Sequence, residues 1–178
     1  MDPRLARLID RQQIKDVVYR YCRGIDRRDL ELVRACYHPD ATDHHGSFEG
    51  TVDAYLEWVD GLLERYSGTM HLVGNILIDR GDREDCAAVE TYGVAIHRSP
   101  EEKAHLNLAT GFRYVDRFER RADDWKIASR VAVSEWSIQL PQEAWWPLPD
   151  SLIQGQRNGS DVLYALLSSI GAQQEHAS

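Results

Sequence analysis

The apolar pattern of the chain changes character once, at Ser67-Gly68, and that change limits its fold more than any other feature. Before it, apolar residues recur at three- and four-residue steps, the spacing of one helix face. After it come long segments rich in β-branched and aromatic residues, separated by turn clusters. Helices followed by an antiparallel meander make an α+β fold.

The first helix carries the stripe Ile14, Val17, Val18, Tyr21, Cys22 and Ile25, closed by Gly24 and the polar run Asp26-Arg27-Arg28-Asp29. A short second helix over 30–37 takes Asp29 as its N-cap and stops at Pro39. A short strand over 41–45 ends at Gly46. The third helix starts at Thr51 and turns Val52, Tyr55, Leu56, Val59, Leu62, Leu63 and Tyr66 to one side. Strands are expected over 69–79, 86–98, 103–120 and 125–138. Residues 1–140 read as one domain. Residues 141–178 read as an arm, with the extended apolar stretch Trp145-Trp146-Pro147-Leu148-Pro149 and a short helix in 160–172, packing on the domain or on a neighbouring subunit. The last few residues are expected to be loose.

Composition removes several function classes. A net charge of -8, with no basic patch interleaved with aromatics, opposes nucleic acid as a partner. No apolar run approaches the roughly 20 residues that a membrane-spanning helix needs. The first ten residues are charged and lack a signal-peptide core, so the expected location is cytoplasmic. Three cysteines without ligand spacing fit reduced thiols.

Asp26 falls four residues after Cys22 and eight after Val18, on the edge of the apolar stripe. A carboxylate there is either paired and hydrogen-bonded or rotated into solvent. Strict alternation in the strand over 69–79 groups His71, Val73, Asn75 and Leu77 on one face, with Met70, Leu72, Gly74, Ile76 and Ile78 on the other. That asymmetry fits a polar inner pocket and a helix-covered outer face; a hydrogen-bonded core histidine fits it too. In the last strand Lys126, Ala128, Arg130, Ala132 and Ser134 share one face, so Arg130 is either a surface residue or a cation with room beside it. His44 and His45 point to opposite faces of a strand and cannot reach one ion, so no metal is expected in the cluster of His38, Asp40, Asp43, His44 and His45. One of the two, taken as His45, lines the pocket. His105 and Asn107 share a face of the long strand as secondary candidates, and Tyr114 joins them only if a bulge intervenes.

The stretches IKDVVYRYCRGID (14–26), YHPDAT (37–42), MHLVGN (70–75), GFRYVDRFE (111–119) and WKIASRV (125–131) occur in an order that resembles the nuclear-transport-factor-2-like superfamily, in its SnoaL-like (polyketide-cyclase-like) branch. The resemblance covers about three quarters of the chain, roughly residues 5–137. It implies a cone-shaped fold, with a curved and mostly antiparallel sheet wrapped by N-terminal helices. Within that superfamily the chain is similar to scytalone dehydratase, hexachlorocyclohexane dehydrochlorinase and the bile acid 7α-dehydratases. Asp26 and His71 match their aspartate–histidine pair, and Tyr21 and Arg130 match further pocket residues.

The resemblance implies a cofactor-independent lyase of the dehydratase or dehydrohalogenase type, acting on a hydrophobic cyclic small molecule such as a steroid, polyketide or aromatic. His71 is then the general base, oriented by Asp26, with Tyr21 and Arg130 stabilising developing negative charge. His45, Asn75, His105 and Asn107 are the expected substrate contacts. Competing expectations are an isomerase of the ketosteroid type or a cyclase, and a non-catalytic module that holds hydrophobic ligands. Related dehydratases form trimers, so a homo-oligomer is expected, a trimer before a dimer.

Overall fold

The computed structural model describes residues 2–172. Helices α1 (Pro3–Arg27) and α2 (Leu30–Ala35) lead into strands β1 (Tyr37–His45) and β2 (Phe48–Thr51), and helix α3 (Val52–Leu63) follows. Strands β3 (Gly68–Asp79), β4 (Cys86–Arg98), β5 (Leu108–Arg121) and β6 (Asp124–Gln139) form the meander, and helix α4 (Val162–Ser169) comes last. Short 3-10 helices occupy Glu101–Leu106 and Gln142–Ala144. The segment expected to be loose at the C-terminus, 173–178, lies outside the described residues.

Local chemistry accounts for the helix ends. The Asp2 carboxylate accepts from the Arg4 amide with Pro3 in the first turn, and Asp29 accepts from the Leu32 amide to start α2. Between them Arg28 turns left-handed at φ 54° and the Asp29 amide donates to the Gly24 carbonyl. Gly24 is where the two helices meet, because a Cβ there would lie 2.6 Å from the Val33 Cγ2 atom. A larger residue must push the buried Val33 aside, at a cost of about 1–3 kcal/mol. Helix α2 is shorter than expected, since Tyr37 already belongs to β1. Pro39 lies where the β1–β6 register shifts between Tyr37 and Thr42, so its missing N–H breaks no regular ladder.

The six strands form one sheet in the order β2-β1-β6-β5-β4-β3, in which β1 and β6 run parallel and the other neighbours antiparallel. Helix α1 packs on β3 and β6, and α3 on β1 and β2. The core between helices and sheet holds Ile14, Val18, Val33, Tyr55, Phe118 and Ile127.

Two of the sheet's β-bulges, one in β3 and one in β6, correct the simple alternation near the site. In β3, Val73 pairs with Gly93 but Ile76 pairs with Thr91, leaving one extra residue in β3 at 74–75. Ile76 and Ile78 thereby join His71 and Val73 on the core side, while Asn75 and Leu77 turn outward. In β6, Ser129 pairs with Arg117 and Ile127 with Phe118, so Ala128 is the extra residue. Trp125 and Ile127 therefore share the core side with Arg130 rather than opposing it. The helices also cover the His71 face. Met70 and Leu72, expected beneath helices, are each 55% exposed on the open outer face.

The C-terminal arm folds back on the chain. Trp145 stacks under the Arg98 guanidinium at 5.3 Å, Arg27 lies 3.5 Å from Asp161, and the Tyr164 hydroxyl donates to Asp29. Cys22 and Cys36 are buried free thiols and Cys86 is a half-buried one. Among the described residues no helix is long and apolar enough to cross a membrane.

Candidate active site

The last turn of α1 delivers Asp26 to β3, where it meets His71 twice. The His71 backbone N–H donates to Oδ2 at 2.9 Å, and the ring Nδ1 lies 2.7 Å from Oδ1. An ionised carboxylate only accepts, so Nδ1 carries the proton and Nε2 holds the lone pair when the ring is neutral. Both side chains are largely but not fully buried, at 8% and 14% exposed. That balance shields the pair from water and leaves it reachable.

Aromatic rings extend from the pair in both directions. Phe112 and His97 each stand edge-on to His71 at 5.9 Å, and Tyr66 lies 4.8 Å beyond His97. On the other side Tyr114 follows Phe112 at 4.5 Å, and His45 follows Tyr114 at 5.9 Å. These rings, in tilted and edge-on contact, form an aromatic wall on both sides of the pair. Burial and the neighbouring His71 pull the pKa of His97 down to about 4, so its ring is neutral near pH 7.

Arg130 is fully buried and far from free. It grips Asp116 through Nε at 2.8 Å and Nη2 at 2.7 Å, and its guanidinium lies 4.1 Å from the Tyr21 ring and 3.9 Å from the Tyr114 ring. The room expected beside this cation is filled by its partner and two phenol rings. Asp116 sits opposite Arg130 across the β5–β6 ladder. Tyr21 shares a 2.5 Å hydrogen bond with the Tyr55 hydroxyl, and Tyr37 donates to Asp43 at 2.7 Å. Burial pushes all four phenols, Tyr21, Tyr37, Tyr55 and Tyr114, well above their ordinary range, so they remain protonated donors. His45 stacks on Tyr55 at 5.6 Å, with its Nδ1 3.5 Å from Asp43.

Three expected contacts lie elsewhere. Asn75 is turned to the outer face by the β3 bulge. His105 is exposed in the 3-10 helix that replaces the start of the expected long strand, and its carbonyl accepts from Gln139. Asn107 is buried but ties down a loop, accepting from the Ser99 amide at 2.7 Å and donating to Gln142. Among the described residues no group of three or more His, Cys, Asp or Glu side chains is placed to hold a metal ion. The sequence pattern pointed to none of His97, Asp116 and Phe112, and to Asp43 only as a member of a cluster weighed for metal binding. Alternation from His71 across paired strands is the signal that would have found His97 and Phe112.

Residues 6–131 match the model of the SnoaL-like domain. Over 130 residues the chain is 24% identical to an uncharacterized protein of Mycobacterium tuberculosis, covering 71% of this chain and 86% of that one. A structure described as a candidate scytalone dehydratase from Novosphingobium aromaticivorans superposes with a TM-score of 0.68 at 23% identity, covering 83% of this chain and 97% of the other. A hexachlorocyclohexane dehydrochlorinase from Novosphingobium barchaimii superposes with a TM-score of 0.72 at 18% identity, covering 81% and 99%. At such identities the structural likeness speaks for the fold.

The pKa of His97 generates a pH prediction. Its folded value lies below the unfolded one, so the folded chain holds fewer protons, and the stabilisation present above pH 6.5 is lost as pH falls toward 4. The melting temperature should fall across that window, with a loss on the order of 2 kcal/mol after allowance for partial exposure. His97→Asn should flatten the slope, as read by thermal unfolding at stepped pH; an unchanged slope would assign it to other groups.

Proposed function

The chain belongs to the SnoaL-like domain family, and from that membership we propose that it is a cofactor-independent lyase that eliminates water or hydrogen halide from a hydrophobic cyclic small molecule. The observation that supports this most is the double contact between Asp26 and His71 beside an aromatic wall. His71 Nε2 takes a proton from a ring carbon. The C–H electron pair becomes the new double bond, and hydroxide or halide departs from the neighbouring carbon. A departing hydroxide collects the proton held on His71 and leaves as water; when halide departs, His71 passes that proton to solvent, and either way the pair is restored. Asp26 fixes the tautomer and stabilises the imidazolium as it forms.

Tyr21 and Arg130 belong to the same proposal in altered form. Arg130 keeps its charge on Asp116, and its place over the Tyr21 ring favours the Tyr21–Tyr55 hydroxyl pair as a donor to a departing or enolate oxygen. Steroid, polyketide and aromatic rings are the substrate classes that suit the wall. We also infer a homo-oligomer, because Met70, Leu72, Trp136 and Ile138 leave an apolar outer face open, and the resemblance to trimeric dehydratases places a trimer before a dimer. Light scattering should give a multiple of the chain mass of 20.4 kDa, and a monomer at working concentration would remove this part.

On a ring substrate found by a thermal-shift screen, His71→Ala should lower turnover by about 10²–10⁴-fold, and Asp26→Asn should lower it in the same direction. Mass spectrometry should show loss of water or hydrogen halide; a product of unchanged mass would mean isomerisation instead. Full turnover in both variants would refute the proposal.

A further inference from the structure

Arg157 stands in the C-terminal arm, ahead of α4, and has an unusual set of partners. Its Nη1 donates to the Leu63 carbonyl at 2.9 Å and to the Tyr66 carbonyl at 2.6 Å, which pins the guanidinium to the end of α3. Its Nε and Nη2 are buried and have no hydrogen-bond partner among the described residues. Those two nitrogens form one edge of the guanidinium, a pair of parallel donors that matches the two oxygens of a carboxylate.

The same edge is in use on other arginines of this protein. Arg130 sets it on Asp116, Arg121 on Glu119 and Arg83 on Asp85. On Arg157 it is occluded from solvent and has no hydrogen-bond partner among the described residues. Its position is next to the candidate site. Tyr66, whose carbonyl it holds, packs its ring 4.8 Å from His97, and His97 packs 5.9 Å from His71. Arg157 lies within electrostatic reach of Arg28, Asp26 and His97.

We propose that the Nε–Nη2 edge of Arg157 binds a carboxylate on the substrate, so that the ring lies against the aromatic wall and its reacting carbon against His71. The substrate class is then a cyclic acid rather than a neutral ring. This rests on reading the Asp26–His71 neighbourhood as the place where the ring lies, but not on the elimination step. The arm becomes part of the site, contributing a binding residue from outside the matched family region.

The probes are 2-naphthoate and its uncharged counterpart of nearly equal shape, 2-naphthamide, titrated into the full chain by calorimetry. The unaltered protein should bind the naphthoate at least tenfold more tightly. Arg157→Gln should bring the two within about twofold of each other while leaving naphthamide binding unchanged. Arg157→Lys retains a donor for the Leu63 and Tyr66 carbonyls but lacks the two-donor edge, and should lower the preference several-fold with the arm still docked. His71→Ala should keep the full preference, which separates this proposal from the elimination chemistry. Equal binding of both probes by the unaltered chain, equal weakening of both by Arg157→Gln, or an undiminished preference in Arg157→Lys would overturn it.

Discussion

Both carboxylate oxygens of Asp26 are committed to one residue, and the candidate site depends on that commitment. One oxygen takes the His71 backbone N–H and so ties the end of α1 to β3; the other takes the ring and orients it. A carboxylate this shielded must be hydrogen-bonded to remain charged, and two donors from a single residue meet that need while setting both position and tautomer. The placement depends on α1 lying correctly across the sheet, which its apolar stripe and the close approach at Gly24 secure.

The second buried ion pair works differently. Arg130 and Asp116 are both closed off from solvent, joined by two hydrogen bonds and flanked by phenol rings. Removing either partner would strand a buried charge, so each depends on the other. Its contribution is a fixed, oriented charge pair behind neutral tyrosines. At the other end, Arg157 is held by carbonyls, and its remaining edge is buried without a hydrogen-bond partner among the described residues. The two arginines divide the labour, one locked into the scaffold and one available to a ligand.

Much of this was legible in the sequence, for identifiable reasons. Ile14 to Ile25 show helical spacing without ambiguity, so the end of α1 and Asp26 could be located, and His71 stands on the first long strand after α3. The errors gather at the bulges. Alternation carries no mark of an inserted residue, so Asn75 was grouped with His71, and Trp125 and Ile127 were set against Arg130. Asp116 was missed because only the β5–β6 register brings it to Arg130. The helices were assigned to the apolar Met70–Leu72 face because spacing cannot tell a helix-covered face from one left open. Arg157 lies in the segment where every periodic signal fades, and only the folded arm reveals its surroundings.

The proposed chemistry turns on which nitrogen of His71 carries its proton. Nitrogen-15 NMR of the ring in the unaltered chain reads this directly, at a pH where the ring is neutral. The contact with Asp26 predicts a protonated Nδ1 and an unprotonated Nε2, ready to accept a proton. A neutral ring protonated at Nε2 would leave His71 without its basic nitrogen on the reactive side and would contradict the account.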